Sequence, residues 1–188
     1  MRVVSLVLGL VMLTAGPVLA AGRPSLHGTE VFQVGQHRAP DFTLRDVNGG
    51  RLHFASLRGH VVALTFLDSQ CRQQCPLVGR ELATAQRHLG GGHSPLVIVV
   101  VSVAPRHDTP RSVHRFMRDM RMTGRWYWLT GTQEQLNRVW VEWGIEVVST
   151  VTHTSAVYLV DRHGWVRVAD GDLIIPSQLV ESVRALLN

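Results

Sequence analysis

Two nearly continuous apolar runs dominate the middle of the chain, residues 61–67 and 96–103. They are too short for helices of ordinary length, and an unbroken apolar run is what a strand shows when both faces of its sheet are covered, so both are expected to be central strands. Before them, Phe42 and Leu44 alternate with polar positions, as do Leu52 and Phe54, around Asn48-Gly49-Gly50, which predicts a hairpin. Helical spacing takes over after Pro76, with Val78, Leu82, Ala85 and Leu89 on one face, and ends at Gly90-Gly91-Gly92. Thr109 is placed to cap a second helix with Pro110 in its first turn and Val113, Phe116, Met117 and Met120 facing inward. Thr132 and Gln135 form a capping-box pattern ahead of the stripe Leu136, Val139, Trp140 and Trp143. Residues 156–160 and 165–169 flank Asp161-Arg162-His163-Gly164 as a second hairpin, and a last helix follows Pro176 with Leu179, Val180, Val183, Leu186 and Leu187 inward. Strands interleaved with helices predict an α/β domain whose mixed central sheet is flanked by helices on both faces.

The extreme N-terminus follows a different pattern. Arg2, an apolar stretch over 3–13, Gly16-Pro17 and the small residues Ala20 and Ala21 have the layout of a secretory leader, so 1–20 is expected to be a signal peptide cut near Ala20 and the protein to be periplasmic or otherwise exported. The stretch is shorter than the roughly 20 residues a bilayer requires, which makes an uncleaved anchor the lesser alternative. Without the first 20 of its 188 residues the chain keeps 168, enough for one domain, expected over 34–188. The net charge of +5 comes from 19 basic residues, all arginine and scattered among acidic ones, which argues against a nucleic-acid partner. The absence of lysine excludes Schiff-base chemistry and the lysine-ended phosphate loop.

Cys71 and Cys75 are the two cysteines of the chain. A disulfide framework is excluded by their number, and a bridge across three residues would add little through chain entropy. They follow the strand expected at 61–67 within a few residues, and sheets of this class bind ligands beyond the carboxyl ends of their strands. If Cys71-Arg72-Gln73-Gln74-Cys75-Pro76 opens the next helix, the two positions lie about 40° apart around its axis and roughly 6 Å along it, so both sulfurs can share one face. The helix N-terminus then favours thiolates, which are both nucleophiles and soft metal ligands suited to Cu(I) or zinc, while an iron–sulfur cluster wants more cysteines. A passive disulfide, inert thiols and thiol–disulfide exchange remain the alternatives, although exchange enzymes usually space the pair by two residues.

Residues 66–69, Cys71-x-x-x-Cys75-Pro76, Ser102-Val103-Ala104-Pro105, Asp108-Thr109-Pro110 and the stretch 153–161 beginning His153-Thr154-Ser155 resemble, in order and spacing, successive blocks of the Sco/SenC family. The resemblance runs from about Gly35 to the C-terminus. It implies a thioredoxin-like fold with an N-terminal hairpin extension and a copper site, Cu(I) or Cu(II), one ion per chain, held by Cys71, Cys75 and His153. The family often has an aspartate where this chain has Ala104 and an acidic residue where it has Thr152, departures expected to alter the hydrogen bonding around a metal. Of the other candidates, His107, beside Asp108, either supports the metal ligands from behind or lies at the surface, with the surface favoured; Met117, Met120 and Met122 resemble the thioether donors of copper proteins, but two lie on an apolar helix face and packing is expected, as it is for Trp140 and Trp143, and Gly90-Gly91-Gly92 is expected in a loop.

The function implied by the resemblance is a metallochaperone that passes copper to the CuA site of cytochrome c oxidase subunit two, a membrane-associated partner, and depends on an external thiol reductant. The alternative is an enzyme, a thiol–disulfide oxidoreductase or a peroxidase using Cys71 as nucleophile and dispensing with His153. A copper sensor or store is a third possibility.

Overall fold

The computed structural model describes residues 24–149, 152–153, 156–171 and 174–188, without the side chains of 149, 152 and 153. The leader expected over 1–20 lies outside the described residues. An eight-stranded mixed sheet runs in the order β1 (Glu30–Val31), β10 (Val166–Asp170), β9 (Val157–Val160), β4 (Val61–Leu67), β5 (Leu96–Ser102), β6 (Trp126–Thr130), β2 (Thr43–Asp46) and β3 (Arg51–His53). Strands β4, β5 and β6 are mutually parallel, and β9 lies antiparallel to β4 with Val62 opposite Val160 and Thr65 opposite Val157. A separate short ribbon pairs β7 (Val147–Ser149) with β8 (Thr152–His153).

Every residue of β4 and β5 is buried, because helices cover both faces of the sheet. Val61, Ala63 and Leu67 pack on one side with residues of α1 (Gln74–His88), α2 (Pro110–Asp119) and α4 (Pro176–Leu187), while Val62, Leu64 and Phe66 pack on the other with α3 (Gln133–Glu142) and the 3-10 turn Phe54–Leu57. The period of two along each strand thus feeds two cores rather than a core and a solvent face.

The expected caps are in place. Thr109 accepts a hydrogen bond from the Ser112 amide at 3.2 Å with Pro110 in the first turn, and the Thr132–Gln135 box is complete in both directions. Each cap contributes about 1 kcal/mol. Two expectations differ. The sequence reading assigned no strand to residues 126–130, yet β6 lies between β5 and β2. The helix expected after Pro76 starts at Gln74, so Pro76 sits in its first turn, where its missing N–H costs nothing.

Among the described residues no helix is long and apolar enough to cross a membrane.

Candidate metal centre

The backbone turns sharply after β4, with the Cys71 amide donating to the Asp68 carbonyl at 3.2 Å, and enters α1 three residues later. Cys71 therefore precedes the helix instead of sharing a helical face with Cys75, and the turn rather than helical spacing brings the sulfurs together. Cys75 lies in the first turn of α1, fully buried, and its thiol is within hydrogen-bonding reach of Cys71 and of the Asp68 backbone. Cys71 is half-buried. Burial pushes the Cys75 thiol up, the Asp68 backbone bond opposes this, and the bond to Cys71 adds to the rise. The helix N-terminus was expected to favour a thiolate; desolvation outweighs it here.

A set of polar contacts fixes the cysteine turn against the start of α2. Asp108, only 4 % exposed, accepts from the Ser69 amide at 2.8 Å and from Trp128 Nε1 at 3.1 Å. The hydroxyl of Ser69 donates to that of Ser112, whose own proton goes to the His107 carbonyl, and Gln70 donates to the same carbonyl. Asp68, also buried, accepts from the Gln70 amide and faces His107 Nδ1 at 3.2 Å. His107, for which the surface was favoured over a place behind the metal ligands, has one side in solvent and the other on a carboxylate beside the cysteines. The buried Ala104 stands where the resembled family often has an aspartate; its carbonyl accepts from the His107 and Asp108 amides, so the turn it builds does not depend on its side chain.

The third candidate, His153, has its backbone in β8 opposite Val147, and its side chain lies outside the described residues, as does that of Thr152. Topology still constrains it. Because β9 runs antiparallel to β4, the chain enters β9 at the end of the sheet where β4 finishes and the cysteine turn begins. Tyr158 donates to the Trp143 carbonyl at 2.7 Å, tying β9 to the end of α3, so the ribbon holding His153 leaves and returns near fixed posts. Val147 in that ribbon lines a groove with Ala104 and His107.

Among the described residues no group of three or more His, Cys, Asp or Glu side chains forms a ready cation site. Two adjacent thiols with one half-open side suit a soft, low-coordinate ion and leave room for one more donor. The methionines fit their expected packing role: Met122 is buried, and Met117 and Met120 lie against the same core as Trp126 and Phe116. Trp140 and Trp143 are buried in the opposite core.

The SCO1 protein homolog of Bacillus subtilis is 24 % identical over 145 residues, covering 73 % of this chain and 75 % of that protein. The fold is that of Arabidopsis thaliana ScoI solved with copper bound, at TM-score 0.70 and 23 % identity over 79 % of this chain and 97 % of the other. It is also that of BsSco, a member of the Sco family of cytochrome c oxidase assembly proteins in which a disulfide switch was identified, at TM-score 0.69 and 22 % identity over 80 % of this chain and 93 % of the other. The fold is therefore thioredoxin-like, as expected. The SCO1/SenC family model matches residues 32–188, and this chain belongs to that family.

Proposed function

We propose that this protein is an exported copper metallochaperone in which Cys71, Cys75 and His153 hold one copper ion as cargo and pass it to an oxidase copper site, the CuA centre of subunit two. The observation that carries this is the placement of Cys71 and Cys75 at one turn, where β4 ends and α1 begins, at the carboxyl end of the central strands. The copper-bound Arabidopsis relative and the oxidase-assembly role of BsSco support the choice of metal and acceptor. Copper loading displaces the thiol protons, and sulfur then stabilises Cu(I) against oxidation and hydrolysis. An external reductant keeps the pair in the dithiol form needed to receive Cu(I). Export follows from the leader at 1–20, with cleavage near Ala20.

The test is copper retention by the reduced protein against a Cu(I) chelator, with Cu(II) spectroscopy alongside. We expect one copper per chain, lost in Cys71→Ser/Cys75→Ser and weakened or spectrally altered in His153→Ala. Tight stoichiometric binding by the double-serine protein sinks the proposal.

One feature favours a second activity at the same residues: Cys71 is half open to solvent and shares a turn with Cys75, so the pair can close to a disulfide by passing two electrons and two protons to a target disulfide, which opens to two thiols. Catalytic disulfide reduction by metal-free protein, unchanged in His153→Ala, distinguishes that oxidoreductase from the chaperone.

A further inference from the structure

Beside Cys71 opens a groove of about 870 Å³. The cysteine turn forms one wall with Cys71 and Arg72, the outer face of α2 forms the other with Arg111 and Arg115, and Pro76 and Phe116 contribute apolar surface. Its charge is one-sided, three arginines against Asp119. Arg118 continues the same stripe, since 111, 115 and 118 fall four and then three apart along α2, and all are exposed.

Among the described residues these guanidinium groups have no acidic partner. The ion pairs among the described residues involve His27, His53, His107, Arg138 and Arg167, and none involves Arg72, Arg111, Arg115 or Arg118. A guanidinium offers a planar fork that matches a carboxylate, and a row of unpaired ones in a concave, partly apolar site strengthens its pull on negative charge. Concavity selects the shape of the partner: an anionic bilayer is flat and meets convex basic surfaces, whereas a trough with a thiol in its wall admits an extended segment.

We propose that this groove docks an acidic, extended segment of a partner protein, laid along α2 so that a cysteine of that segment reaches Cys71. What the docked segment receives, a copper ion, rests on the function proposed above; the docking does not.

The experiment uses the full chain with Cys75→Ser, which leaves Cys71 as its single thiol. The probe is a ten-residue peptide of aspartate and glycine with one central cysteine, activated as a mixed disulfide with thionitrobenzoate, beside a neutral version with asparagine for aspartate. The Cys71 thiolate attacks the peptide sulfur, the new mixed disulfide forms, and thionitrobenzoate leaves with the electron pair of the broken bond, so its absorbance counts events. At low salt the acidic peptide is expected to react about tenfold faster than the neutral one, with the preference collapsing at high ionic strength. Arg111→Glu/Arg115→Glu should remove the preference, read as the ratio of the two rates within the variant so that any change in Cys71 reactivity common to both peptides cancels, and a wild-type urea midpoint shows that the variant is folded. The same charge change at the opposite end of the sheet, Arg58→Glu/Arg162→Glu, should retain most of it. Equal rates for the two peptides overturn the proposal. So does an equal loss in both arginine variants, which assigns the effect to net charge. Binding to phosphatidylglycerol vesicles that depends on Arg111 and Arg115, without peptide preference, overturns it in favour of a membrane. Copper retention measured on wild type separates the two proposals, since peptide preference without copper binding keeps the groove and sinks the chaperone.

Discussion

Asp108 has almost no access to water and serves two donors at once, the Ser69 amide and the Trp128 indole. Asparagine offers a single acceptor oxygen, so Asp108→Asn leaves one buried donor unpaired and should lower stability by about 1–3 kcal/mol, read from urea midpoints. Burial raises the Asp108 carboxyl above its ordinary value. Between the ordinary and raised values the native state binds the proton more tightly than the unfolded chain does, so this contribution is full at acid pH and lost as pH rises through the raised value. The advantage of wild type over Asp108→Asn is therefore expected to be larger near pH 4 than near neutrality; a gap that widens with rising pH contradicts the assignment. Cys75 makes a related prediction. Its raised thiol must surrender a proton to any metal, so apparent Cu(I) affinity should climb with pH, about tenfold per unit for each thiol deprotonated, and a flat profile in chelator competition counts against two-thiolate binding.

At the scale of elements, Gln86 joins three of them from inside the core. Fully buried on α1, it donates to the Leu96 carbonyl at the start of β5 and accepts from Trp126 Nε1 at the start of β6. Gln86→Leu strands both partners and should cost about 1–3 kcal/mol, seen as a lower urea midpoint with an unchanged slope. This link explains part of what the sequence conceals. The strands at 61–67 and 96–102 were legible because their apolar runs are long and bounded, and the helices after Thr109 and Thr132 because their caps are written locally. Strand β6 was missed because its five residues, Trp-Tyr-Trp-Leu-Thr, are short and mix buried with half-buried positions. It is held by non-local pairing with β5 and by Trp126 reaching Gln86, 40 positions away. The start of α1 at Gln74 falls inside the segment 71–76 read as a helix entry, with Pro76 at home in the first turn, and what the spacing could not show is that Cys71 stays on the turn before it.

At the scale of the molecule, the proposed ligands differ in how far apart the chain holds them. Cys71 and Cys75 are neighbours in sequence and can meet in the unfolded chain, whereas on the proposed function His153 would reach them only when β9 lies beside β4. Copper binding shared by the unfolded chain adds nothing to stability, so the thermal shift on loading should come largely from His153 and shrink in His153→Ala. At free copper a hundredfold above Kd the wild-type gain is about 2.7 kcal/mol at most, equivalent to roughly 5–11 °C for a domain of this size. An undiminished shift in the variant excludes His153 from the site. The same distinction governs legibility. The cysteine pair could be placed from local pattern alone, but the Asp108 clamp on Ser69 and the pairing of Asp68 with His107 each span 39 residues and left no mark on periodicity. The two sulfurs are also unequally mounted. Cys75 is set in a helix whose Val78 and Leu82 are sealed in the core, and Cys71 rides on a turn. On the proposed function, escape and handover then have different clocks: of the two sulfurs it is Cys71 that meets water, so dilution strips the ion slowly, while a competing thiol arriving at the turn can take hold before Cys75 lets go.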